Sequence, residues 1–185
     1  MSADAPSLMR VYEGWEGYNT SLVRAIAPCS PEQLAWRLAP HLRSAGEVAG
    51  HISLGRIDWF HRMNAPGSAE LAAQVAPWCR GSDVAPESGI AENPAELVRW
   101  LEATWRMIED VLTHWTVADL DTTYPHTYWG KTYAISRQWT IWRIMAHDIH
   151  HGGQLTEILG AQGITPLELA GLGGHLTEPP LAQPS

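Results

Sequence analysis

Residues 134 to 159, "AISRQWTIWRIMAHDIHHGGQLTEIL", decide how this chain folds. No proline interrupts them, and Gly160 and Gly163 follow. The stretch therefore predicts one long helix closed by glycine. On a wheel of about 100° per residue, His147 and His151 stand about 40° apart. Ile144, Gln154, Leu155 and Ile158 share their sector, which makes it apolar and inward-looking. His150 falls on the border, beside Arg143 and Trp139. Asp148 lies about 100° from His147 and is expected to face outward.

The rest of the chain supplies partners for that helix. Leu8, Val11, Trp15, Tyr18, Leu22 and Ile26 recur at steps of three and four, marking a helix over 7–27. Ser30 followed by Pro31 opens a short helix over 30–38. Ser44 with Glu47 is a capping box, so a helix starts there and runs to about Met63. Asn93 and Pro94 open another, with Leu97, Leu101, Trp105, Ile108 and Leu112 along one face. Residues 64–92 are rich in Gly, Pro, Ala and Ser and read as a long connection, with room for a short helix at 69–75. Residues 116–133, "TVADLDTTYPHTYWGKTY", break the helical pattern and leave room for a short extended segment. The expected class is all-α: a four-helix bundle with a long crossover between its second and third helices. One domain is expected over residues 1–170, followed by a loose tail over 171–185.

Composition narrows the function. The chain has 185 residues, enough for one domain with a core of its own. A net charge of -8 disfavours both a nucleic-acid partner and an anionic membrane surface. Cys29 and Cys79 form no CxxC pair and read as structural thiols of a reducing compartment. The N-terminus lacks a basic start with an apolar run behind it, and no stretch of apolar residues is long enough to span a bilayer. The expectation is a cytoplasmic protein. Ten tryptophans stand against one phenylalanine, and most of Trp59, Trp100, Trp105, Trp139 and Trp142 are expected in the core. Trp142, Met145, Ile149 and Leu159 give the long helix a second apolar face. That face is expected to be covered by a symmetric dimer contact or by the 64–92 connection.

Two imidazoles in one apolar sector are costly unless something satisfies them. A metal ion would do so, since i, i+4 spacing lets both rings converge on it. So would hydrogen-bonded neighbours, or a solvated cleft. A metal needs a third ligand, and His51, near the middle of the 44–63 helix, offers one. His51, His147 and His151 would leave a fourth position open for water or substrate. Asp58 shares the His51 sector two turns on, and is a candidate base or a solvated carboxylate. Gln154 is placed to orient a ligand or a ring nitrogen. His41, His114, His126 and His175 are expected at the surface.

These residues resemble the DinB/YfiT-like family of metal-binding four-helix proteins. That family has an isolated His on its second helix and a pattern near H-x-x-x-H-R-G-Q late in its last long helix. Here the matching stretches are "AGHISLGRIDWF" and "HDIHHGGQL", within a likeness covering about residues 8–165. Carried over by position, His51, His147 and His151 are the metal ligands. Gly152 stands where the family usually has Arg, and His150 where an aromatic residue is common. The resemblance implies a left-handed up-down-down-up bundle, often a homodimer. It also implies one zinc or nickel ion per chain. Relatives include S-transferases that use bacillithiol or mycothiol, and mycothiol-dependent maleylpyruvate isomerases. By that analogy a thiol S-transferase acting on small electrophiles is expected, with catalytic groups left open. The alternatives are a small metal-dependent hydrolase and a non-catalytic, stress-related metal-binding protein.

Overall fold

A computed structural model describes residues 7–75 and 88–164. The expected 171–185 tail, Cys79 and His175 lie outside the described residues. A 3-10 turn at Leu8–Arg10 leads into α1 (Trp15–Ile26), α2 (Pro31–Ala35) and α3 (Ala45–Arg62). Then come α4 (Ser68–Val75), α5 (Ser88–Ala91) and α6 (Pro94–His114). A second 3-10 turn (Val117–Asp121), a hairpin of β1 (Thr123–Tyr128) and β2 (Lys131–Ser136), and α7 (Arg137–Gly160) complete the order.

The helix starts expected at Ser30, Ser44 and Asn93 are where the chain places them, because the orphan backbone N–H groups of a first turn need acceptors. The Ser44 hydroxyl accepts from Glu47 N while the Glu47 carboxylate accepts from Ser44 N, and the same box joins Ser30 and Gln33. Asn93 Oδ1 accepts from Ala95 N and Glu96 N. Three boundaries differ from expectation. The short helix expected over 30–38 ends at Ala35, because Trp36 turns extended at ψ 142°. The first helix begins at Trp15 rather than residue 7, because Gly14 turns left-handed at φ 96° and separates it from the 3-10 turn. The last begins at Arg137 rather than Ala134. Ala134–Ser136 pair instead with Thr123–Pro125 in the hairpin, and the Ser136 hydroxyl then caps α7. The hairpin turn is Trp129-Gly130, both at positive φ, which matches the right-handed twist of a two-residue connection. It is the one departure from an all-helical chain among the described residues.

The four long helices, α1, α3, α6 and α7, share two buried clusters. One joins Leu22 and Ile26 of α1, Val48 and Ile52 of α3, Leu97 and Leu101 of α6, and Leu155 and Ile158 of α7. The other joins Trp15, Phe60, Trp105, Ile108, Ile141 and Ile144. A third, smaller cluster seats α4 on Leu54, Ile57 and Trp100.

Three expectations about buried faces need correction. Trp100 and Trp105 are core residues, but Trp139 and Trp142 are exposed, at 46% and 63%. They lie on the side of α7 turned from its buried stripe. Leu159, assigned above to a second apolar face, is fully buried in the first cluster. Asp148 does not face outward: its exposure is 0%. The buried stripe of α7 runs Ile141, Ile144, Asp148, His151, Leu155, at steps of three and four. That stripe, rather than the angle to His147, sets where Asp148 points.

Candidate metal centre

α3 and α7 pack side by side and bring three imidazoles together. His51 comes from α3; His147 and His151 come from successive turns of α7. Ring centroids are 4.3 Å apart for His147 and His151, 4.6 Å for His51 and His151, and 4.9 Å for His51 and His147. One ligand atom from each lies within 4.8 Å of the others. Close approach is possible because Gly55, one turn along α3 from His51, has no side chain: a Cβ there would lie 2.7 Å from His147 Cε1.

The donor set fits a divalent ion. Two nitrogens bound at ~2.1 Å to one tetrahedral zinc sit about 3.4 Å apart. His51 Nε2 and His147 Nε2 are 3.2 Å apart. His151 Nδ1 lies 2.7 Å from Gln154 Oε1. As the amide oxygen can only accept, Nδ1 carries the proton and Nε2 is left as the ligand atom. Burial pushes the His151 pKa down to about 4, so the ring is neutral near pH 7, the form a metal needs. No further His, Cys, Asp or Glu joins the cluster among the described residues.

Behind His147 lies a polar network that the sequence reading missed. The Asp148 carboxylate sits 3.8 Å from His147 Nδ1. Its Oδ2 accepts from Arg56 Nε at 2.9 Å and Trp15 Nε1 at 2.8 Å, and Arg56 Nη2 is 2.8 Å away. Arg56 Nη1 reaches Asn19 Oδ1 at 2.8 Å, Thr104 Oγ1 at 3.2 Å and the Leu101 carbonyl at 3.3 Å. Arg56 and Asp148 are both completely buried. Burial alone would raise the Asp148 pKa, but the Arg56 charge and these donors hold it below the usual carboxylate value. The signal in the sequence was a charge on an apolar stripe: Ile52, Arg56 and Phe60 follow one another at steps of four.

Gly152 is explained by Tyr18. A Cβ at residue 152 would lie 1.8 Å from the Tyr18 hydroxyl, which donates to the Ile149 carbonyl at 3.3 Å. Burial and the Asp148 charge push the Tyr18 pKa up to about 12, so the phenol keeps its proton. A side chain from α1 thus occupies space that a larger residue at 152 would need.

Other candidates are placed as follows. Asp58 is paired with Arg62 at 3.0 Å, beyond the three-histidine cluster. His150 is exposed, its ring 4.9 Å from that of His151. His41 and His114 are exposed, as expected. His126 is half-buried against Trp59, at 5.0 Å between ring centroids. Cys29 is buried, its thiol donating to the Ala25 carbonyl, and burial raises its pKa. It is a structural thiol rather than a nucleophile.

A family model described as the DinB superfamily matches residues 19–155. The fold is similar to that of a DinB-like protein from Bacillus cereus ATCC 10987, with a TM-score of 0.62 at 16% identity. That likeness covers 88% of this chain and 95% of the other. No curated protein matches the chain.

The network behind His147 generates a stability prediction. Arg56→Met alone leaves a buried carboxylate without its cation and should cost about 3–5 kcal/mol in urea unfolding. Arg56→Met combined with Asp148→Leu should recover most of that loss, because no charge is then left unpaired. A double variant no more stable than the single would contradict the assignment.

Proposed function

The chain belongs to the DinB superfamily, and from that premise we propose that it is a divalent-metal-binding protein acting as a metal-dependent thiol S-transferase on small electrophiles. The observation that carries the reading is the convergence of His51 with His147 and His151. Those three residues would hold one zinc or nickel ion per chain and leave a coordination position for a thiol such as bacillithiol or mycothiol. When bound, the ion would lower the pKa of that thiol and so supply a thiolate at neutral pH.

The protein's own groups prepare the site. Gln154 fixes the tautomer and tilt of His151. Asp148, held by Arg56 and Trp15, places a negative charge behind His147. That charge favours the ring as a ligand and counters part of a cation's charge. Asp58 and Gln154 remain the candidate proton-handling or orienting groups. A blocked fourth position would mark a non-catalytic binder, and no fourth ligating side chain joins the cluster among the described residues.

The reading extends to architecture and setting. It takes the long helices as an up-down-down-up bundle, α1 and α7 one way and α3 and α6 the other. The core clusters support this: Ile26 and Leu155 share one cluster with Val48 and Leu97, while Trp15 and Ile141 share the other with Phe60 and Ile108. It also takes the protein as a cytoplasmic homodimer. No helix among the described residues is long and apolar enough to cross a membrane. The dimer would bury Trp142 and Ile149, exposed at 63% and 43% on α7.

Two outcomes are expected. Metal-loaded protein purified without a His tag should catalyse reaction of bacillithiol or mycothiol with monobromobimane, followed by product fluorescence. His147→Ala should lower that rate at least ~100-fold, and ester hydrolysis without thiol transfer would shift the assignment to a hydrolase. Light scattering should give twice the chain mass, falling to one chain in Trp142→Glu/Ile149→Glu; a wild-type monomer removes the dimer.

A further inference from the structure

A second constellation lies along the same two helices, beyond the histidines. Trp59 stands one turn after Gly55 on α3, and Arg143 stands one turn before His147 on α7. With Trp139, His126 and Tyr133 they line a cavity of about 480 Å³ between the hairpin and the two helices. That volume is within the range of small-molecule sites, about 300–1,000 Å³. Its walls are mostly aromatic rings.

Arg143 gives the cavity its chemistry. Its guanidinium lies 4.8 Å from the Trp59 ring and 5.4 Å from the Trp139 ring. Contact with the two ring faces restrains the group while leaving N–H donors available. Arg62 lies against Trp59 and His126 without lining the cavity, and Asp58 pairs with it at 3.0 Å. Arg143 has no carboxylate partner among the described residues. The cavity is therefore locally positive within a chain of net charge -8. An unneutralised guanidinium held between two aromatic rings can take a planar oxyanion through two parallel hydrogen bonds. Trp139, exposed at 46%, and Tyr133 offer ring faces beside it.

We infer that this cavity binds a planar aromatic carboxylate, its carboxylate on Arg143 and its ring against Trp139 and Tyr133. The ligand's carboxylate would lie about one helical turn from His147. Treating it as the substrate of that centre rests on the metal reading above; the binding itself does not.

The test uses the full chain without metal, titrated with 2-naphthoate and with neutral 2-naphthalenemethanol by calorimetry. Naphthoate should bind one site per chain, about tenfold or more tighter than the alcohol, as a charged hydrogen-bonded pair implies. Arg143→Ala should abolish that preference, and Arg143→Lys should retain part of it. Trp139→Ala should weaken both ligands. Circular dichroism of each variant confirms that it is folded. Because the titration is run without metal, its outcome does not depend on the metal reading, whose failure would show separately in the thiol-transfer assay. Absence of saturable binding, or a preference that survives Arg143→Ala, overturns the inference.

Discussion

The structure depends on one buried ion pair. Arg56 and Asp148 lie at 0% exposure in the middle of the protein, where an isolated charge would cost several kcal/mol. They persist because they face one another and most of their polar edges are answered, while Asp148 Oδ1 is left beside His147 Nδ1 at 3.8 Å. Asp148 Oδ2 takes donors from Arg56 and Trp15, and Arg56 Nη1 reaches Asn19, Thr104 and the Leu101 carbonyl. Those partners come from α1, α3, α6 and α7 together. Sliding any one helix by a turn would orphan part of the set. The pair adds little net stability over a packed apolar core, but it penalises every other register.

Register is what the three histidines require. His51 and Arg56 are five residues apart on α3, and His147 and Asp148 are adjacent on α7. Locking Arg56 to Asp148 therefore sets His51 opposite His147 and His151. Gly55 lets the helices close over the His147 ring, and Tyr18 fills the space at Gly152 from the other side. The imidazoles are held before any ligand arrives, so little ordering remains to be done on binding. Burial also keeps His151 neutral near pH 7, in the form that accepts a cation.

Much of this was legible in the residues. The caps at Ser30, Ser44 and Asn93 mark helix starts because backbone donors there need acceptors, and that need is local. The His147–His151 spacing was equally plain, since one helix fixes it. What escaped depended on more than one element. The angle of Asp148 from His147 suggested solvent, while its place on the Ile141–Ile144–Leu155 stripe put it inside. Arg56 is hard to place from the sequence, because a charge seldom lies in a core and only Asp148, 92 residues away, makes it tolerable there. The hairpin borrowed Ala134–Ser136 from the expected helix because strand pairing is not visible in helical periodicity. Trp139 and Trp142 have helical spacing but lie off the buried stripe of α7, where Trp139 meets Trp59 only at the rim of the cavity and stays 46% exposed, so spacing alone misplaced them.

On the proposed reading, three imidazoles, set in place by a buried charge pair, grip one divalent ion. Anomalous diffraction at the metal edge, from crystals of protein purified without a His tag, tests it most directly. The expected result is a single peak per chain with Nε2 of His51, His147 and His151 each at ~2.0–2.1 Å. No peak at that position, or an ion bound by other residues while the three rings bond only to one another, would contradict it.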